Sequence, residues 1–225
     1  MAYGLYELDT ARLIRRILRP GDTFIDGGAN IGYFSLIAAK RVGPKGRVHA
    51  FEPQPANRKR LAEHVERNGL ASIIEIHPVA LFDRPGSLDL HTFENPEANH
   101  GQSTFFAGPE TASQKVTVEM TRLDDYLPSV APRLIKLDIE GAEPQAISGM
   151  TRTLRTHRPA LIVELSASIL KRAGFSVRES IDRVLACVPQ YQVFVIGWRL
   201  SPLDVSSDSL AHLREVNLLF RTPET

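Results

Sequence analysis

The chain has 225 residues, and its 27 Lys and Arg stand against 26 Asp and Glu, a formal net charge of +1. That balance excludes a binder driven onto nucleic acid by charge, and the length suffices for a full core in one domain. No apolar run approaches the roughly 20 residues of a membrane span. The N-terminal stretch carries Glu7 and Asp9 where a secretory leader needs an apolar run, and the lone cysteine, Cys187, has no internal partner for a disulfide. A cytoplasmic setting is the expectation.

Tyr3–Leu18 predicts an amphipathic helix with Leu5, Leu8, Leu13, Ile14, Ile17 and Leu18 as its apolar set, packed on a sheet and stopped by Pro20-Gly21. Asp22–Gly32 follows, reading D-T-F-I-D-G-G-A-N-I-G. Thr23-Phe24-Ile25 suits a short buried strand, Asp26 and two glycines end it, and Tyr33–Lys40 is apolar at helical spacing. Strand, small-residue turn and helix open a nucleotide-binding α/β unit, in which backbone N–H groups and a helix N-terminus approach the ligand. A dinucleotide loop needs glycines at i, i+2 and i+5, but the second position falls on Ala29 or Asn30. No Lys followed by Ser or Thr makes it a P-loop. The remaining pattern, acid-x-Gly-x-Asn-x-Gly, suits the methionine end of S-adenosylmethionine (SAM). Asp26 would favour the cationic amino group, and the backbone of Gly28, Asn30 and Gly32 would pass beneath the ligand.

Arg47–Phe51 predicts the second strand. Glu52, at its C-terminal end, is placed to accept hydrogen bonds from both ribose hydroxyls of a nucleoside. A helix over Asn57–Asn68 with Leu61 and Val65 inward comes next; its charged outer side, Arg58–Arg67, reads as a solvated face. Ile73–His77 is the third strand. Ser87–Phe93 and Gln114–Met120 alternate as half-buried strands do and predict a β-pair carrying the long loop Glu94–Ser113, an insertion spanning 84–120. Its place near the sheet's C-terminal edge puts Asn99, His100, Gln102 and Ser103 toward a substrate, and His100 has the pKa of a general base.

Leu134–Ile139 is the fourth strand, with Lys136 and Asp138 on one face. Two charges in an apolar strand are costly unless paired or used; Lys136 suits pairing and Asp138 a place beside the cofactor. Gly141 supplies a turn, Glu143 suits a cap on the next helix, and Glu140 suits function. Pro159–Leu165 is the fifth strand and carries Glu164 at its far end. Helix Ser180–Cys187 and strands Gln192–Ile196 and Val216–Phe220 complete the pattern. His157 and His212 read as surface residues and Trp198 as a packing anchor.

Four blocks in order, D-G-G-A-N-I-G at 26–32, F-E-P-Q-P at 51–55, T-R-L-D-D-Y-L at 121–127 and K-L-D-I-E-G-A-E at 136–143, resemble the FkbM family of SAM-dependent methyltransferases. The resemblance runs from about Gly21 to near Phe220, with D-I-E-G-A-E its most specific element. It implies an α/β class I methyltransferase fold: a Rossmann-like three-layer sandwich on a mainly parallel seven-stranded sheet, ordered 3-2-1-4-5-7-6 with the last strand antiparallel, plus the hairpin insertion. Residues 1–225 would form a single domain, with 1–20 as its N-terminal helix. It also implies O-methylation of a hydroxyl on a sugar, glycolipid or natural product, so the partner is a small-molecule or glycan acceptor. In that fold the loop after the third strand meets the adenine, which nominates Ala80 and Leu81.

The acceptor hydroxyl needs a base, for which His100 and Asp138 are candidates with Glu140 orienting the acceptor. Asp138 and Glu164, at neighbouring strand ends, would offer two oxygens to Mg²⁺, as catechol O-methyltransferases place a metal in this region. Two other readings compete: a non-catalytic SAM-fold binding module, and a nucleotide-binding oxidoreductase. Against the latter, no tyrosine is followed four residues later by lysine.

Overall fold

The structure is a computed structural model that describes residues 3–93, 103–106, 113–206, 210 and 213–223. Helix α1 (Tyr3–Ile17) precedes β1 (Thr23–Gly27), which runs through the glycine loop into α2 (Tyr33–Val42). Then come β2 (Arg47–Phe51), α3 (Pro55–Arg67) and β3 (Ile74–His77). Strands β4 (Val79–Leu81), β5 (Gly86–Phe93), β6 (Ser103–Thr104) and β7 (Ser113–Thr121) form a separate sheet. The chain returns through α4 (Leu123–Tyr126) to β8 (Leu134–Leu137), α5 (Glu143–Gly149), α6 (Thr151–His157), β9 (Ala160–Ser166), α7 (Ala167–Arg172) and α8 (Val177–Cys187). It ends with β10 (Gln192–Val195), β11 (Ser201–Pro202) and β12 (Glu215–Arg221).

The main sheet has the order β11-β10-β12-β9-β8-β1-β2-β3. β1, β2, β3, β8 and β9 pair in parallel, while β12 is antiparallel to both β9 and β10. The expected seven strands stand in the expected order, with the two-residue β11 added at one edge. Alternation along each strand loads both faces. Phe24, Val48 and Leu134 pack on one side with Ile14, Ala38 and Leu61 from α1, α2 and α3. Ile25, Ile135 and Leu161 pack on the other with Ile147, Leu154 and Val184 from α5, α6 and α8. Strands buried on both faces need such near-continuous apolar runs, which is the three-layer arrangement.

Local chemistry explains the boundaries. Helix α3 begins at Pro55, two residues before the predicted start, because proline is preformed for a first helical turn. Helix α8 begins at Val177 rather than Ser180: Ser176 and Glu179 close a capping box, each side chain accepting the other's backbone N–H. Helix α1 is sealed by Arg41 of α2, whose Nε donates to the carbonyls of Arg15 and Leu18 at 2.9 and 2.8 Å. Asp124, in α4, accepts from Arg152 N–H, Thr153 N–H and Thr153 Oγ1 at 2.8, 2.9 and 2.8 Å and so caps α6 from another segment.

Two expectations are corrected. Val79–Leu81 is not a loop but strand β4, paired in parallel with β7, and Ala80 is buried among Phe82, Met120 and Ala142. Its backbone serves the second sheet, so packing accounts for this position. Trp198 is no anchor: it is 78% exposed on the turn between β10 and β11, with the Arg12 guanidinium 4.9 Å above its ring. His157 is exposed as read, and His212 lies outside the described residues. No helix among the described residues is long and apolar enough to cross a membrane.

Candidate active site

Strand order reverses between β1 and β8: from β1 the chain adds β2 and β3 on one side, then β8 and β9 on the other. In open α/β sheets ligands bind outside the C-terminal strand ends at such a switch point. The Asp26–Gly32 loop fills this place and is pinned from both flanks. Gly28 and Ala29 donate to the Phe51 carbonyl, each at 3.0 Å, and Asp138 N–H donates to the Gly27 carbonyl at 3.0 Å. Gly28 has φ +81°, and a Cβ there would lie 1.9 Å from the Asp138 carbonyl oxygen. Only glycine fits that approach. Asn30 is left-handed at φ 50°, a conformation short amide side chains tolerate.

Glu52 holds the loop from the β2 side. It is 4% exposed, and its two carboxylate oxygens accept Asn30 N–H at 2.8 Å and Gln54 N–H at 2.9 Å. Burial pushes its pKa up to about 7 against these two bonds, which favour the charged form. Around the same loop, Asp26 Oδ1, Asn30 Oδ1 and Gln54 Oε1 are buried acceptors with no hydrogen-bond partner among the described residues. Buried acceptors are normally satisfied, so this site fits a ligand rich in donors.

On the other flank lies one buried cation among acids. Lys136, 1% exposed in β8, donates to Asp138 Oδ2 at 2.9 Å and lies 4.5 Å above the Phe34 ring. Burial alone would depress the ammonium, but Asp138 and Asp26 together hold its pKa above the ordinary lysine value. Asp26 is Lys136's register partner across β1 and β8, and Ser35 Oγ donates to its Oδ2 at 2.6 Å. Burial outweighs both and raises the Asp26 pKa. Glu164 on β9 is pushed up to about 8 by burial and by Asp138, and Glu140 to about 8 by burial, Asp138, Glu143 and Glu215. Four acids, Asp26, Asp138, Glu140 and Glu164, thus interact with one ammonium at the C-terminal sheet edge.

The turn after β8 is held in an unusual shape. Glu143 is 2% exposed and folds back to accept Ile139 N–H at 3.0 Å and Gly141 N–H at 3.0 Å. It organises the Asp138–Gly141 turn rather than serving only the helix it begins. Its burial raises its pKa to about 7. Glu140 is consequently left-handed at φ 52°, and Thr104 Oγ1 donates to its carbonyl at 2.8 Å. Thr104 belongs to the insertion, so β6, its described part, touches this turn.

Asp26, Gly28, Asn30, Gly32, Glu52, Asp138 and Glu140 are therefore gathered at one sheet edge. Ala80 is in the second sheet, and His100, with Asn99 and Gln102, lies outside the described residues. Asp26 meets Ser35 and Lys136 inside the protein, while Asp138 keeps 32% of its side chain exposed. The Mg²⁺ reading gains no support: Asp138 already holds an ammonium, and among the described residues it and Glu164 gather no third ligand. Sequence reasoning missed Glu215 and the Asp26–Lys136 link. The only signal for the link was a lysine inside an apolar strand.

The comparisons agree with this geometry. The family model described as the methyltransferase FkbM domain matches residues 26–192. The chain belongs to the FkbM methyltransferase family. Among similar proteins, the hexuronic acid methyltransferase AglP of Haloferax volcanii is 29% identical over 163 residues, 72% of this chain and 64% of that protein. The 31-O-demethyl-FK506 methyltransferase FkbM of Streptomyces tacrolimicus is 27% identical over 214 residues, 78% of this chain and 81% of that protein. A solved methyltransferase FkbM from Methylobacillus flagellatus KT superposes with a TM-score of 0.60 at 20% identity, over 93% of this chain and 50% of that one. The chain thus spans less than two thirds of the first relative and half of the solved one.

Proposed function

We infer that the chain, acting as one domain, is a SAM-dependent methyltransferase that methylates a hydroxyl of a sugar, glycolipid or other natural product. The observation that carries the reading is the glycine loop closed onto Glu52 at the switch point. SAM supplies a methyl group already activated on a sulfonium. Glu52 would hold the ribose hydroxyls with its remaining lone pairs, and Asn30, Gln54 and Asp26 offer the acceptors that the ribose and the amino group need. Four acids share one lysine here, and a cationic ligand would draw Glu140 and Glu164 toward their charged forms, which favours SAM over its neutral product. FkbM membership and the named relatives support the donor and the class of reaction; AglP's printed name favours a sugar acceptor. The lone Cys187 fits a cytoplasmic setting.

Among the described residues Glu140 is the best candidate for the base. Its raised pKa suits proton transfer near neutral pH, and its strained backbone is held by Glu143 and Thr104. Asp138 is committed to Lys136 and positions the turn. His100 keeps its candidacy from the sequence alone. Isothermal titration with SAM, followed by mass detection of methyl transfer to a panel of sugars and uronic acids, tests the proposal. Binding and transfer support it. Binding without transfer to any hydroxylated acceptor favours the binding module, and absence of SAM binding by folded protein ends both readings.

A further inference from the structure

We propose that His49, Glu75 and His77 form a zinc site that staples the outermost parallel strand, β3, to β2, apart from the methyl-transfer site. β2 and β3 are parallel, with His49 opposite Glu75 and Phe51 opposite His77. Period-two geometry therefore sends all three side chains to one face. Each offers one ligand atom, and these atoms lie within 4.8 Å of one another, the only such three-residue group among the described residues.

The distances suit a small tetrahedral ion. His49 Nδ1 is 3.1 Å from His77 Nε2 and 3.5 Å from Glu75 Oε2. Nitrogen and oxygen ligands about 2.0 Å from zinc stand roughly 3.3 Å apart in a tetrahedron. Both imidazoles are prepositioned. His49 and His77 are 6% and 4% exposed, and the His77 ring stacks on Phe51 at 4.5 Å with the Tyr126 edge 5.3 Å away. The Glu75 side chain is 62% exposed, so solvent has access for a fourth ligand. Two imidazoles and one carboxylate are a zinc donor set, whereas magnesium and calcium require more oxygens.

The staple has a structural purpose. Among the described residues β3 ends the sheet and has no strand on its outer side, the unprotected edge position. The His77 carbonyl also accepts Glu52 N–H at 3.0 Å, so fixing His77 steadies the residue that holds the glycine loop.

The test is zinc binding by chelator-treated full chain, measured by competition with a chromophoric chelator, with cobalt as spectroscopic probe. The expected result is one zinc per chain, visible d–d bands for cobalt, a melting temperature that rises with zinc, and no response to magnesium. Glu75→Gln, an exposed change that leaves the core intact, should weaken zinc at least roughly tenfold; His77→Gln should abolish it. Failure of the wild type to bind zinc, or wild-type affinity retained by folded Glu75→Gln, overturns the proposal. In that case the pair is an imidazole–imidazole hydrogen bond.

Discussion

The carboxylate of Glu52 accepts the backbone N–H of Asn30, 22 residues earlier in the chain, at 2.8 Å. One side chain therefore sets the shape of the loop, and in the proposed function it would also hold the ribose. Glu52→Ala should lower SAM affinity by about 1.5–3 kcal/mol, roughly tenfold to a hundredfold. Glu52→Gln should not rescue it, because an amide has one acceptor oxygen for two N–H donors. Isothermal titration on both variants checks this.

Gly28 and Gly69 are both left-handed, yet a Cβ would strike the Asp138 carbonyl oxygen at the first and meet nothing within 4 Å at the second. Gly69→Ala should cost only the conformational strain, about 1–2 kcal/mol. Gly28→Ala should cost more than that and displace the loop. Urea denaturation measures the difference, and equal losses would contradict the packing given for the loop.

Lys136 balances Asp26 and Asp138 inside the sheet edge. Lys136→Met leaves two carboxylates without their cation and should destabilise by about 3–5 kcal/mol near neutral pH. The loss should shrink as pH falls and the carboxylates take up protons. Unfolding curves at two pH values show whether it does.

Glu164 has a folded pKa raised to about 8 from 4.5. Its contribution is fully present below pH 4.5 and is lost as pH rises through about 8, since the folded protein then holds a buried charge it disfavours. Glu164→Gln should therefore match the wild type near pH 4.5 and exceed it above pH 8, by more than about 1 kcal/mol. Paired denaturation midpoints at the two pH values check the sign.

Glu140 has to be deprotonated to act as a base, and its pKa is pushed up to about 8. The apparent second-order rate constant for methyl transfer should climb with pH up to about 8 and then level. Glu140→Gln should lose about 10²–10⁴-fold and flatten that limb. A limb that survives the substitution would assign it to another group.

The glycine loop, the acid after the second strand and the β-pair insertion were legible in the sequence because each has a local signature, while the strand order came from the family resemblance. Glycine and asparagine mark left-handed backbone at 28–32, apolar runs mark strands buried on both faces, and alternation marks β5 and β7. Boundaries shifted where a side chain several residues away decided them, as Glu179 did for Ser176.

What the amino-acid order determined by itself was the family, the parallel sheet and the carboxylates at its C-terminal edge, since strand period and turn chemistry are properties of short segments. The tertiary structure alone decided which charge faces which. Lys136 meets Asp26 only because β1 and β8 lie side by side, Glu140 is driven up because burial removes water from it and Asp138, Glu143 and Glu215 lie near, and Asp124 caps a helix that starts 27 residues later. Val79–Leu81 became a strand because β7, whose paired residues lie 40 positions later, supplied a partner. Contacts between distant segments fix solvation and charge, and neither is written in any one stretch of the chain.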